Sequence, residues 1–347
     1  PIALLTGPFL PDLLVVLISI ISLVSIISKN KWFYYKNIFF ISFIVWCIYL
    51  FFVSTFSQNP WLSYESSLFY FRFGFFAVGI AYCINEKPIF IKYLFYSLLG
   101  AFSFVLIDSI IQFVTNYNIF GFPKIGVRLS GIFGKELILG SYLSRLMPIL
   151  FAVFVYNFSN KLVRNKVFIF LFFLIYLVSD AVIYLSGERL AFAYLLITLF
   201  LTLLLIRKYR FYRFISFLAS LLVIIVISFV YPSVKQRMID DTLIQTNIFN
   251  THDKEIVHDG INDYWSKGLE KNRILFFSPH HELSYKIAIN IFKDNIYFGA
   301  GPKMFRQLCS EEKYFIEEGC TTHPHSIYLQ LLSETGLIGA LPIIFIF

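Results

Sequence analysis

Charge is what this chain has least of. Asp, Glu, Lys and Arg make up 14% of its 347 residues while hydrophobic residues make up 58%, which excludes an ordinary soluble domain. The apolar runs also lack the strict alternation of barrel strands, so an outer-membrane barrel is excluded. The stretch 2–27 is not expected to be a cleavable signal peptide, because it is too long for an h-region and ends in lysines. The chain starts at Pro1 without an initiator Met and stops at Phe347 inside an apolar run, so it is read as a fragment or a processed chain. Cysteine and histidine are scarce too, at four and six residues.

What is present are apolar runs of about twenty residues, each able to cross a hydrocarbon core of roughly 30 Å. The predicted spans are 3–28, 38–56, 66–84, 90–114, 131–157, 167–185, 190–206, 212–231 and 326–347. The class is therefore all-α: a polytopic helical membrane protein with about nine spans. Residues 1–231 form an eight-span region, 232–325 a loop domain with amphipathic helices, and 326–347 a truncated ninth span. A formal charge of +8 would suggest nucleic acid until the charges are located. Lys29, Lys31 and Lys36 follow span one, and Lys87 and Lys92 span three. Lys161, Arg164 and Lys166 follow span five, and Arg207, Lys208, Arg210 and Arg213 span seven. The intervening connections are poorer in Lys and Arg. The positive-inside rule puts the basic loops in the cytoplasm and the long loop outside, and it removes the case for nucleic acid.

In the long loop, Ser278-Pro279 predicts a helix start, with Leu283, Ile287, Ile291 and Phe292 on the apolar face of a helix ending near Asn295. FGAGP at 298–302 predicts a turn, and 303–318 a second helix. Cys309 and Cys320 both fall here, while Cys47 and Cys83 fall within spans. An oxidising compartment would pair the loop cysteines in a disulfide just before His323; two free thiols are the alternative.

The stretch Cys320–Gly339, CTTHPHSIYLQLLSETGLIG, carries the strongest chemical signal. Pro324 restricts His323 to an extended backbone, and Ser326 can cap a helix whose apolar face is Leu329, Leu332 and Gly336. His325 then lies at the mouth of that helix, beside backbone N–H groups that attract anions. The six histidines (His252, His258, His280, His281, His323, His325) all avoid the spans, as polar residues do; only His325 combines a fixed backbone with the membrane edge. His323 and His325 could instead ligate a metal, but no carboxylate or cysteine pattern completes a zinc site, so no metal or other cofactor is expected. Among arginines near the membrane, Arg128 sits in RLSGIFGKELILGSYLSR and Arg189 in LSGERLAF, both on the outer side of this topology. Interfacial snorkelling would equally explain them. Arg72, Arg145 and Asp108 look deeper, Glu136 and Arg145 would lie on opposite faces of one helix, and Arg306 is an accessory candidate in the loop. A lipid pyrophosphate could be held by arginine forks while a neutral histidine deprotonates an acceptor hydroxyl.

These motifs resemble the bacterial O-antigen ligase and O-antigen polymerase superfamily. The ligase pattern of His, a small polar residue, nine residues, Gly, two residues and Gly is matched by His325-Ser326 and Gly336-Leu337-Ile338-Gly339. GAGPKMF, the approach CTTHPH, RLSGIFGKELILGSYLSR and SGERLAF are similar as well, so the resemblance runs from about Arg128 to Gly339. It implies inverting, metal-independent transfer of a glycan from undecaprenyl pyrophosphate at the periplasmic face of the bacterial inner membrane. It also implies His325 as base, with Arg128 and Arg189 as pyrophosphate ligands; His323, Arg145 and Arg306 are accessory candidates by position alone. About twelve spans are expected in the family with the large loop after the ninth; here it follows the eighth. The acceptor would be lipid A–core for a ligase, or a second lipid-linked repeat for a polymerase. A transporter of lipid or polysaccharide, using Arg72, Arg145 and Asp108, or a purely structural membrane protein are the readings from other classes.

Overall fold

A computed structural model describes residues 1–158, 166–246 and 279–346. Lys161, Arg164, His252, His258 and Ser278, with most of the polar stretch 240–271, lie outside the described residues. The architecture is helical throughout: α1 (Phe9–Ser28), α2 (Ile38–Thr55), α3 (Pro60–Ser67), α4 (Phe71–Glu86), α5 (Ile89–Thr115), α6 (Leu139–Asn157), α7 (Lys166–Leu185), α8 (Arg189–Leu205), α9 (Arg210–Val230), α10 (Pro279–Asp294) and α11 (Ile327–Ile346). Among the described residues β-structure is limited to two isolated bridges. Among the described residues eight stretches are long and apolar enough to cross a membrane, and α8, at 17 residues, is a shorter apolar helix. This is a polytopic helical membrane protein.

Several boundaries differ from the sequence-based expectation, each for a local reason. The first span starts at Phe9, after a short 3-10 turn (Ile2–Leu5). The third splits into α3, whose N-cap Asn59 accepts from Leu62 N with Pro60 in the first position, and α4. The fifth starts at Leu139 rather than 131, because Gly131 and Gly134 both take positive φ in the preceding turn. Glu136 is therefore not helical and shares no helix with Arg145. The second loop helix expected over 303–318 is reduced to one turn, Phe305–Leu308, followed by tight turns.

The chain divides into two compact units, Pro1–Leu13 with Cys83–Thr242 and Leu14–Tyr82 with Leu243–Phe347. In the first, α5, α6, α7 and α9 bury an aromatic core that includes Phe95, Phe102, Phe151 and Phe172, with Phe154 and Phe172 stacked at 3.8 Å between centroids. Inside it Arg213 of α9 forks onto Asp180 of α7 at 2.8 and 2.9 Å, with side chains 3% and 0% exposed. Ser220 Oγ donates to the same carboxylate. A charge pair this deep is tolerated only when both partners are satisfied. In the second unit α2 and α11 approach closely at a small residue, since a Cβ on Gly339 would stand 2.6 Å from the Tyr49 ring. The indole of Trp46 donates to Gly339 O at 2.8 Å and Tyr49 Oη to Thr335 O at 2.7 Å, tying α2 to α11. Beside them the loop packs its own small core around Ile287, Ile291, Met304 and Phe305.

Candidate active site

Three arginines converge in the first unit. The turn Ser186–Glu188 between α7 and α8 is tightened by Gly187 at φ +68°, and its carbonyls point at guanidinium groups on both sides. Arg128 Nε donates to Ser186 O at 3.0 Å, and Arg237 Nε donates to Gly187 O at 3.2 Å. Arg189, the first residue of α8, donates from Nε to Arg237 O at 3.0 Å and pairs with Asp241 at 3.3 Å. A Cβ at position 187 would lie 2.9 Å from both Arg128 Cγ and Arg237 Nε, so only glycine lets the two guanidinium groups close on the turn. Arg128 and Arg237 each commit one N–H to a carbonyl, and their terminal N–H groups have no partner among the described residues. Burial first, then the neighbouring Arg237, draws the Arg128 guanidinium below its ordinary pKa, with Glu188 opposing and Arg189 adding to the shift; it stays charged at any physiological pH. Three mutually repelling cations in a half-buried cluster favour an anion of high charge density.

Glu188 serves the scaffold. Its carboxylate accepts from Gly140 N at 2.7 Å, Ser141 N at 3.0 Å and Ser141 Oγ at 2.6 Å, closing the N-terminus of α6. The loop carrying Arg128 is fixed from below: Gln112 Oε1 accepts from Ser130 N and Gly131 N, Asn118 Nδ2 donates to Gly131 O, and Asp108 accepts from Ile119 N.

Three histidines converge in the second unit. The His325 ring lies 4.4 Å from that of His323 and 4.7 Å from that of His281, centroid to centroid, tilted by 50° and 45°. The backbone fixes this corner. Pro324 is buried, His325 takes a left-handed φ of 54°, and Ser326 caps α11 through Leu329 N at 3.5 Å. Such a φ is uncommon outside glycine, Asn, Asp and His and marks a position held by its surroundings. Cys309 and Cys320 are joined in a disulfide with Cα atoms 5.1 Å apart, just upstream. Burial, then the charges of His281 and His323, holds His325 below its ordinary pKa; burial, then His280 and His323, does the same for His281. Both rings are therefore neutral at pH 7. No described residue hydrogen-bonds either ring nitrogen of His325, whereas His323 Nδ1 lies 3.0 Å from Thr322 Oγ1. Among the described residues no group of three or more His, Cys, Asp or Glu side chains is arranged to hold a metal ion.

The glycines after His325 act on the backbone. Gly336 breaks α11 at φ 62°, ψ −172°, and the freed amides of Leu337 and Ile338 donate to Ile296 O and Tyr297 O at 2.8 and 3.2 Å. In return Ala300 N and Gly301 N donate to Ser333 O and Glu334 O, both at 2.9 Å. A Cβ on Gly336 would collide with Tyr297 O, and one on Gly299 with Thr335 N. FGAGP and GLIG are thus two halves of one interlock.

Arg145 is exposed on α6 and joins neither cluster; Arg306 is exposed on the turn after Met304. Sequence reasoning missed Arg237 and His281. The first lies in a short π-helical turn (Gln236–Asp240), a feature frequent at functional sites but invisible to hydropathy. The second was visible only as a His-His pair opening a helix.

A family model described as O-antigen ligase matches residues 169–344, half of the chain. The chain belongs to the O-antigen ligase family. No curated protein and no solved structure matches it. Arg189, Arg237, His281, His323 and His325 fall inside the O-antigen ligase match, and Arg128 precedes it.

Proposed function

We propose that this membrane protein transfers a glycan from undecaprenyl pyrophosphate to a hydroxyl of lipid A–core at the periplasmic face of the bacterial inner membrane. His325 is the general base. It takes the proton from the acceptor hydroxyl as that oxygen bonds to the anomeric carbon from the face opposite the pyrophosphate. The bond between the anomeric carbon and the pyrophosphate oxygen breaks, inverting the centre, and undecaprenyl pyrophosphate leaves with the electron pair. Arg128 and Arg189, joined by Arg237, stabilise the charge that grows on the leaving group. Charge alternation along the sequence supports this by putting the arginine loops and the His325 loop on the side opposite the basic connections. His323 is an accessory in the acceptor path.

The single observation carrying the proposal is the His325 ring, fixed by its backbone, held below its ordinary pKa by its surroundings and, among the described residues, without a hydrogen-bond partner at either nitrogen. The test is surface-glycan transfer by the complete protein, wild type beside His325→Ala at matched expression. A fall of about 10²–10⁴-fold with accumulation of lipid-linked glycan is expected for a lost base. Unchanged transfer would sink the assignment. Loss of all core-attached glycan identifies a ligase, whereas loss of long chains alone identifies a polymerase.

A further inference from the structure

The first two turns of α10 are anchored against the loop that presents His325. Ser284 Oγ donates to Gly319 O at 2.8 Å, and the His280 ring meets Glu318 at 3.4 Å to the carbonyl and 3.8 Å to the carboxylate. Gly319 has no room for a side chain, since a Cβ would stand 3.0 Å from Leu283 Cβ and Ile287 Cδ1. The disulfide secures the far side of the same loop. These contacts bring the half-buried ring of His281 onto His325, 4.7 Å away and tilted by 45°.

We propose that His281 is a positioning residue for His325, holding the orientation of its ring and setting the pH at which it can accept a proton. Two imidazoles this close are not both cationic near neutrality, since like charges at this separation repel. A neutral His281 therefore leaves His325 free to take the acceptor proton, and a charged one suppresses it. The other titratable groups on the packed elements are His280, Glu282 and Tyr285 on α10, His323 and Glu318 on the loop, and, in sequence, Tyr328 in the first turn of α11. Of these, His323 is the one whose ring also contacts that of His325, tilted by 50°. The inference rests on His325 being the base.

The test is carbethoxylation of His325 by diethyl pyrocarbonate across pH, read by mass spectrometry on the complete protein in its native membrane, with glycan transfer measured in parallel. The reagent attacks only neutral imidazole. His281→Lys should lower the His325 midpoint by about one pH unit and His281→Glu should raise it by a similar amount, the size expected for a unit charge at this distance. His281→Gln, close in size and uncharged, should abolish both shifts and leave the protein folded. The transfer profile should move with the midpoint in each variant. A His325 midpoint identical in all three variants overturns the inference even if transfer still requires His325. Shifted midpoints with an active His325→Ala enzyme would support the coupling and remove the base assignment instead.

Discussion

The arginine cluster and the histidine corner solve the same problem in opposite ways. Around the turn at Gly187 the side chains are tied down: Arg128, Arg189 and Arg237 each give an Nε–H to a main-chain carbonyl. At His325 the main chain is tied down by Pro324, a left-handed φ, a disulfide and the Gly336 interlock, and among the described residues the ring nitrogens are left without hydrogen bonds. The difference follows from the chemistry each group can perform. A guanidinium has five donors, so one can be committed to a carbonyl and four remain for an anion. An imidazole has two nitrogens, and a base must keep one of them empty, so it is better fixed through its backbone.

That contrast can be broken by experiment. The largest effect is expected at the arginines: Arg128→Ala or Arg237→Ala should each lower transfer about 10²–10³-fold, and Arg→Lys at either position should recover only part of it, because lysine lacks the fork. Full activity in both lysine variants would show that charge alone matters. Next come the glycines. Gly336→Ala should cost on the order of 3 kcal/mol or more from a strained φ and a backbone collision, read as a lower melting temperature, with transfer lost alongside. Gly187→Ala should cost about 1–3 kcal/mol and loosen Arg128 and Arg237 together; a melting curve and transfer rate unchanged from wild type would refute the wedge. Removing the disulfide with Cys309→Ser and Cys320→Ser frees a loop of 11 residues in sequence separation, worth about 3 kcal/mol. It should raise proteolysis of the loop more than it lowers transfer.

The smallest effect is in pH. A His325 held below its ordinary pKa by burial and by His281 and His323 must be neutral to act. The transfer rate should therefore be flat around neutrality and fall only as pH drops below the ordinary histidine range. A rate that rises on acidification would reverse the sign and exclude a neutral base.

The membrane helices were legible because their apolar runs are fixed by composition, although the third span divided into α3 and α4 and the helix expected over 303–318 shrank to one turn. Gly131 and Gly134 delayed α6, a positive φ that hydropathy cannot register. The residues of the corner, His323, Pro324, His325 and Ser326, were legible because their constraints are local, running from each residue to the next. Periodicity places Gly336 on an apolar helix face, whereas in the structure it breaks the helix.

The sequence by itself determined the membrane class, the alternation of basic loops, and a histidine on a stiff linker ahead of a capped helix, since each depends on neighbours a few residues apart. Only the tertiary structure decided that Arg237 joins Arg128 across the turn at Gly187. It also decided that His281 lies on His325, and that FGAGP locks into the break at Gly336. Those arrangements depend on close approach between segments far apart in the chain, where one missing Cβ or one free carbonyl selects the partner, and no local periodicity encodes that choice.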